Sequence, residues 1–442
     1  MLKVPFLAGG IVVKKLLLFA EKCFAVLGLF FLAGGAYIGS TNQANAGLIP
    51  ELVQSAILYG IWTMSALLLI LNAKRTLITM RRDGLFWIFV VLVLSSFAWS
   101  DYPIWTLLNN REFARMIFFG LYFATRFDLK QQVRLIAASL TLGAVLSVIF
   151  AFGFPRVGID PAHAPAWKGI YDSKNTFGSI MVIMSIAFFS FPVEQWRDRL
   201  IKWGGIAFSS TMILLSQSAT ALVVSIVLMV LMNLYQRFRW QGKRTVVLLN
   251  LGILATSCAA IGLLTNMPLL LEALGRDATF TGRTYIWQVT LEHLWDRPWF
   301  GFGRTAFWSP ESPFPKQISY FLSQNWNAPH AHNGYIETAL DVGLVGLTLV
   351  AICFVTAYGA ALKRAYRTTQ SENLWPLGFF TFLALSNVTE SYFLRLSNIY
   401  FILFAATLLT VKARNAIVRE EFESPSRYPV LPMREANGNV RS

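Results

Sequence analysis

NAPHAHNGYIETALDVGLVGLTLV runs from Asn327 to Val350. Two histidines, His330 and His332, stand just before an apolar run that continues to about residue 360. A membrane-crossing helix needs about 20 mostly apolar residues, and 334–360 supplies them. Glu337 and Asp341 fall at i and i+4 inside this run. Carboxylates there are costly unless paired or facing a wet cavity. Gly343 and Gly346 allow close helix contact, and simple packing explains them equally well. The stretch reads as a spanning helix with its chemistry gathered at the N-terminal end.

The rest of the chain agrees. Of 442 residues, 55% are hydrophobic and only 14% charged. Ordinary globular domains carry about 25% charged residues. The mean hydropathy is +0.52, and 36 Phe accompany 14 Trp and 14 Tyr. A soluble domain of this length cannot hide so much apolar surface. Disordered, collagen-like and disulfide-scaffold chains are excluded as well. Cys23, Cys258 and Cys353 all lie in apolar runs and form no CxxC pair. The first apolar stretch has no clear small-residue cleavage site and reads as a span, not a signal peptide.

The expected fold is an all-α polytopic integral membrane protein of about twelve transmembrane helices. The candidate spans are 23–40, 51–73, 84–100, 112–126, 134–154, 176–193, 203–217, 219–235, 246–265, 334–360, 373–388 and 398–411. With the N-terminus in the cytoplasm, the inner segments are 1–22, 74–83, 126–134, 194–202, 236–245, 361–372 and the tail. They hold 27 of the 38 Lys and Arg. The positive-inside rule therefore places both termini in the cytoplasm. It also explains the net charge of +15 without nucleic acid. Residues 1–411 read as one membrane domain and 412–442 as a polar, disordered cytoplasmic tail.

One long loop, about 266–332, then faces outward. Its Trp, Phe and Pro content argues against disorder, and long structured loops are usually functional. All four histidines, His163, His293, His330 and His332, fall on this outer side. A transporter would place its ionisable groups near the midplane instead.

The core of the loop is TGRTYIWQVTLEHLWDRPWFGFG, from Thr281 to Gly303. Trp287, Leu291, Leu294 and Trp295 recur at i, i+4, i+7 and i+8, one face of an amphipathic helix. Pro298, Gly301 and Gly303 stop it, and its tryptophans suit headgroup depth. Arg283 occupies the first turn, where the helix dipole disfavours a cation. It reads either as an exposed arginine snorkelling to headgroups or as part of an anion site with free backbone N–H groups. At the loop's far end the HxH pair offers too few ligands for a metal. A histidine there is either structural or suited to moving protons near neutral pH.

Three other outer clusters carry charge. WSDYPIWTLLNNREFAR holds Asp101, Arg111 and Arg115. Arg115 falls in an apolar segment and needs a partner or a wet cavity. YDSKNTFG, 171–178, starts a helix that Asp172 or Ser173 can cap, and the sharper reading points Lys174 at an anion. NVTESYFLRLSN holds Glu390 and Arg395, for which a mutual salt bridge is the plain reading.

Together these motifs resemble the O-antigen ligase and polymerase family, which includes the exopolysaccharide polymerases of the ExoQ type. The resemblance runs from about Trp99 to Leu409. Its most specific parts are GRTYIW (282–287), the RPWFGFG turn and HNGYIETALDVGLVG (332–346), with WSD (99–101), KNTFG (174–178) and NVTE (387–390) in support. The resemblance implies a glycosyltransferase of the inner membrane that needs no metal or other cofactor and works on the periplasmic face. The donor would be a glycan on undecaprenyl diphosphate. The acceptor would be another lipid-linked repeat unit in a polymerase, or lipid A–core in a ligase. Membrane lipids, a flippase and a chain-length regulator are the other expected partners.

By the same resemblance Arg283 binds the diphosphate, and His332 acts on or orients the acceptor hydroxyl. Both are the expected catalytic residues. Arg115, Lys174, Arg111, His330 and Glu390 are the expected substrate-binding residues. A diphosphate leaving group needs cations or helix N-termini, not necessarily a metal. One departure stands out. Many ligases carry a Ser-Arg motif on the span before the loop, where LLSQSATALVV has Ala219 or Thr220. Arg115 or Lys174 is the candidate replacement. KNTFG and SQSATAL favour the polymerase branch. A lipid-linked oligosaccharide flippase is the alternative from another class.

Overall fold

The computed structural model describes residues 6–35, 49–238, 252, 283–321, 329–367, 370–394 and 399–423. These residues are helical almost throughout, with one isolated bridge between Ile159 and Trp167. In chain order the helices are α1 (Phe6–Leu32), α2 (Glu51–Leu71), α3 (Ala73–Met80), α4 (Gly84–Ser95), α5 (Pro103–Arg126), α6 (Leu129–Gly153), α7 (Pro155–Gly158) and α8 (Lys174–Phe189). They continue as α9 (Trp196–Ser216), α10 (Ala219–Phe238), α11 (Arg283–Leu294), α12 (Pro313–Phe321), α13 (Gly334–Arg367), α14 (Trp375–Ser386) and α15 (Ile399–Glu423).

Every expected span among the described residues falls on a helix. Four helices, α2, α6, α10 and α13, are long and apolar enough to cross a membrane, and three shorter apolar helices accompany them. The expected span at 246–265 lies outside the described residues apart from residue 252, as does the first part of the outer loop. The three largest boundary differences from the sequence reading are at α5, α1 and α15. α5 starts at Pro103 rather than near 112, because Pro suits the first helical position and its ring presets the backbone. α1 begins at Phe6, inside the stretch 1–22 read as the first inner segment. α15 runs on to Glu423, so helix extends into the stretch read as tail, and 424–442 lies outside the described residues.

α8, α14 and α15 form the centre. Trp375, Phe177, Phe379, Phe401 and Phe404 are buried there, and aromatic pairs such as Phe382 with Tyr392 link the elements. A membrane offers no hydrophobic drive between helices, so such packing has to come from close van der Waals contact. Glycine makes this possible at Gly120, where an added Cβ would meet the Ile402 carbonyl at 3.1 Å.

Polar contacts gather at the two ends of the bundle. At one end Arg126 grips Glu21 with two hydrogen bonds of 2.6 and 2.7 Å, and a third goes to Asn72. Lys412 pairs with Asp83, and Lys130 with Glu194. Asp128 closes a capping box on α6. The opposite end holds the loops that carry the histidines and the aromatic turn.

The long helix α13 is broken at Val342 and Gly343, whose φ is +69°. In an unbroken helix the Leu340 and Asp341 carbonyls would accept from Leu344 and Val345. Here those carbonyls accept from Phe302 N (2.7 Å) and Gly303 N (3.0 Å). Leu344 N and Val345 N donate instead to Pro298 O (2.7 Å) and Trp299 O (3.2 Å). The RPWFGFG turn therefore completes the four backbone groups that the break sets free, as buried backbone requires. Gly343 is obligatory: a Cβ there would lie 2.0 Å from the Trp299 carbonyl oxygen.

Candidate active site

Two turns and one helix start make the site. The first turn is HNG at the start of α13. Asn333 caps the helix, its side-chain oxygen accepting from Tyr335 N (3.0 Å) and Ile336 N (3.1 Å). Its side-chain amide donates to Val388 O, and its own N–H donates to Ser391 Oγ. Gly334 N lies 2.8 Å from Asn387 O and 3.0 Å from Glu390 O. A Cβ on Gly334 would fall 1.8 Å from Asn387 Oδ1, so only glycine allows this approach. The HNG and NVTES turns are thus knitted together by backbone and amide groups.

Arg283 opens α11 and reaches the same place. Its guanidinium donates to Thr389 O (2.7 Å) and Glu390 Oε1 (3.0 Å). Glu390 is buried, and its other oxygen lies 3.6 Å from His332 Nδ1. That distance makes an ion pair if the imidazole is protonated but no hydrogen bond. Nδ1 is buried with no hydrogen-bond partner among the described residues. The 22% exposure of the His332 side chain therefore belongs to the rest of the ring. His332 sits at φ +50°, a left-handed conformation that costs about 1–2 kcal/mol. The surrounding bonds hold it there: Trp287 Nε1 donates to Ala331 O (2.9 Å), and Ala331 N donates to Glu337 Oε2 (2.8 Å). Strain held at a histidine in this way is the kind found at functional positions.

His330 is buried beneath this turn. Its Nδ1 accepts from His332 N at 3.2 Å, and the two rings lie 4.0 Å apart. An accepting Nδ1 places the ring proton on Nε2. Glu337, suspected from its depth, receives a backbone N–H, and Asp341 accepts from Thr305 N at 2.8 Å. Both carboxylates therefore fasten loop to helix.

The other expected residues divide. Arg115 pairs with Glu112 at 2.6 Å and stacks over Tyr59 at 4.3 Å. Arg111 bonds to Leu108 O and the Tyr59 hydroxyl. Their contacts among the described residues run toward α2, not toward Arg283. Lys174 begins α8, with its N–H on Asp160 Oδ2 and Ser173 as the cap. Next to it Asn175 accepts from Ser218 Oγ (3.0 Å), so KNTFG packs on the SQSA turn just before Ala219.

Glu390 pairs with Arg283, and the expected pairing with Arg395 falls on a residue outside the described ones. On α11, Ile286, Val289, Thr290 and Leu294 are buried, whereas Leu291 and Trp295 of the stripe expected at the membrane boundary are exposed. The buried side packs beneath the α13 N-terminus, where Ala339 and Leu340 join the same cluster.

Two buried cations near these turns, Lys168 and Arg304, escaped the sequence reading. Lys168 is only 2% exposed. It follows Trp167, whose N–H donates to Leu215 O beside the SQSA turn. Burial pushes its ammonium below the usual lysine range, against the pull of Asp160 and Asp172. Arg304 is fully buried and donates to Asn109 O (2.5 Å) and Leu394 O (2.8 Å). Burial pushes it down to about 10, against Asp341, Glu112 and Glu337. It ties the Glu390 turn to α5. Its place in GFGRT, directly after the aromatic turn, was the only sequence signal.

The model of the O-antigen ligase family matches residues 204–351, which include Arg283 and His332. The exopolysaccharide production protein ExoQ of Rhizobium meliloti (strain 1021) is 25% identical over 373 residues, covering 81% of this chain and 82% of that protein. By both findings the chain is similar to O-antigen ligases and to an exopolysaccharide production protein, and its apolar helices suit a membrane protein.

Proposed function

We propose that this protein is an inner-membrane glycosyltransferase, with about twelve spans, that polymerises polysaccharide repeat units on the periplasmic face. The observation that carries the reading is the convergence of Arg283, Glu390 and His332 from three separate segments onto one partly open spot. A donor on undecaprenyl diphosphate presents a dianionic leaving group. Arg283 uses two of its five N–H donors on Thr389 and Glu390, leaving others for phosphate oxygens. His332 holds the acceptor hydroxyl and takes its proton as the new glycosidic bond forms and the lipid diphosphate departs. Glu390 keeps both cationic groups in register and offsets the imidazolium that results.

Lys174 is the better replacement for the family's missing arginine, because it stands beside the SQSA turn while Arg115 is engaged at Glu112 and Tyr59. ExoQ's description as an exopolysaccharide production protein favours polymerisation over ligation. Purified full-length protein with synthetic lipid-linked glycan tests the reading. Longer lipid-linked chains are expected. Transfer to lipid A–core alone would make it a ligase, and absence of any new glycosidic bond would point to transport.

A further inference from the structure

The far end of α11 carries a second constructed feature. Trp99, Asp296, Arg297, Pro298, Trp299 and Phe300 line a cleft of about 520 Å³, within the usual range of ligand pockets. Trp299 is 65% exposed and Phe300 51%. Their backbone is nevertheless fixed, since Pro298 and Trp299 accept from the broken helix α13 and the Phe300 carbonyl accepts from Trp99 Nε1 at 2.9 Å. Large aromatic side chains are thus held outward by a rigid main chain.

The polar groups of the rim are already paired. Arg297 pairs with Asp101 at 2.6 Å, and Asp296 lies 2.9 Å from His293 Nδ1. A rim whose arginine is held by a carboxylate and which carries a further carboxylate offers no attraction to a phosphate or an anionic headgroup. Nor does Trp99 act as an ordinary interfacial tryptophan, because its indole N–H is spent on Phe300 instead of facing water. What remains on offer is aromatic faces beside paired hydrogen-bonding groups, the chemistry that suits the apolar face and hydroxyl edge of a sugar ring. α11 has twelve residues, so at about 1.5 Å per residue its two ends lie about 17 Å apart.

We propose that this cleft binds a neutral stretch of glycan several sugar units away from the bond being made at Arg283. The proposal rests on the glycosyl-transfer reading and adds a distal subsite to it. α11 would then space the two sites, with chemistry at its N-terminus and grip at its C-terminal end.

The test is direct binding by saturation-transfer NMR, with full-length protein in lipid nanodiscs. The probes are fragments of the host strain's own surface polysaccharide, cut to one, two and three repeat units and free of lipid. The expected result is affinity that rises with fragment length. Trp99→Ala and Trp299→Ala should each weaken the longest fragment about tenfold or more, a change of about 1.4 kcal/mol. Trp299→Phe keeps an aromatic face and should stay within about threefold of wild type, which guards against simple misfolding. Trp203→Ala, on exposed α9, should bind as wild type. Equal affinity in the alanine and wild-type proteins would overturn the proposal. So would loss of lipid-vesicle binding with glycan binding intact, which would make the cleft a lipid contact. Because the assay needs no transfer, its failure is separable from failure of the transferase reading, for which Arg283→Ala and bond formation are the measure.

Discussion

The Arg283 guanidinium donates to the Glu390 carboxylate at 3.0 Å, although 107 residues separate the two in the chain. The other Glu390 oxygen faces His332. Glu390 thus stands between the two groups to which the chemistry is assigned, and its charge matters to both.

Removing the guanidinium removes the diphosphate contact made as the leaving group gains charge. Arg283→Ala should lower transfer by about 10²–10³-fold, in line with loss of one transition-state donor. Arg283→Lys should recover only part, because the paired geometry toward Thr389 and Glu390 needs the planar fork. Initial rates on lipid-linked glycan, with protein amount matched by gel, are the measurement. Wild-type rates in Arg283→Ala would remove the assignment.

His332 invites a cleaner substitution than alanine. Its φ of +50° is one that asparagine tolerates well. His332→Asn should therefore keep the thermal stability of the wild type while losing about 10²–10⁴-fold in turnover, the usual weight of a general base. A stable His332→Asn protein with full turnover would make the histidine structural.

The buried Arg304 predicts a stability defect. Arg304→Met strands Asp341 without its neighbouring cation and frees the Asn109 and Leu394 carbonyls. Breaking a buried charge arrangement typically costs about 3–5 kcal/mol. Adding Asp341→Asn should recover part of the loss. Thermal unfolding of the single and double variants in detergent gives the comparison, and additive destabilisation would exclude the coupling.

The Asp160 loop predicts acid sensitivity. Burial raises the Asp160 carboxyl, but hydrogen bonds from Lys174 N, His163 and Ala162 N outweigh it, so its pKa lies below the usual carboxylate value. A depressed carboxylate gives its full stabilisation above the ordinary value and loses it as pH falls through the lowered one. Proteolysis of the 155–174 loop should accelerate below about pH 4 in wild type. Asp160→Asn should show that faster cleavage already at neutral pH. Identical cleavage profiles would mean that Asp160 does not hold the loop.

Helix positions were legible in the sequence because apolar runs of spanning length are a strong, local signal. The three motifs that meet at Glu390 were legible too, as separate strings. Their junction was not: Asn333 bonding to Val388 and Ser391 is a long-range contact that spacing does not encode. The Trp–Leu stripe of α11 was legible, but the stripe that meets the protein, with Ile286, Val289 and Thr290, was not, because aromatic spacing reports amphipathicity alone. Arg111 and Arg115 looked like site residues because they are charged near an outer end. Only the structure places them against Tyr59.

The break at Val342–Gly343 has a mechanical consequence. Two of the four main-chain bonds tie the aromatic turn to the half-helix that follows His332, and two tie it to the half beyond the break, so neither half tilts without the turn. Any substrate that pulls on Trp299 also levers the histidine, and a polymer strained at one end is felt at the other.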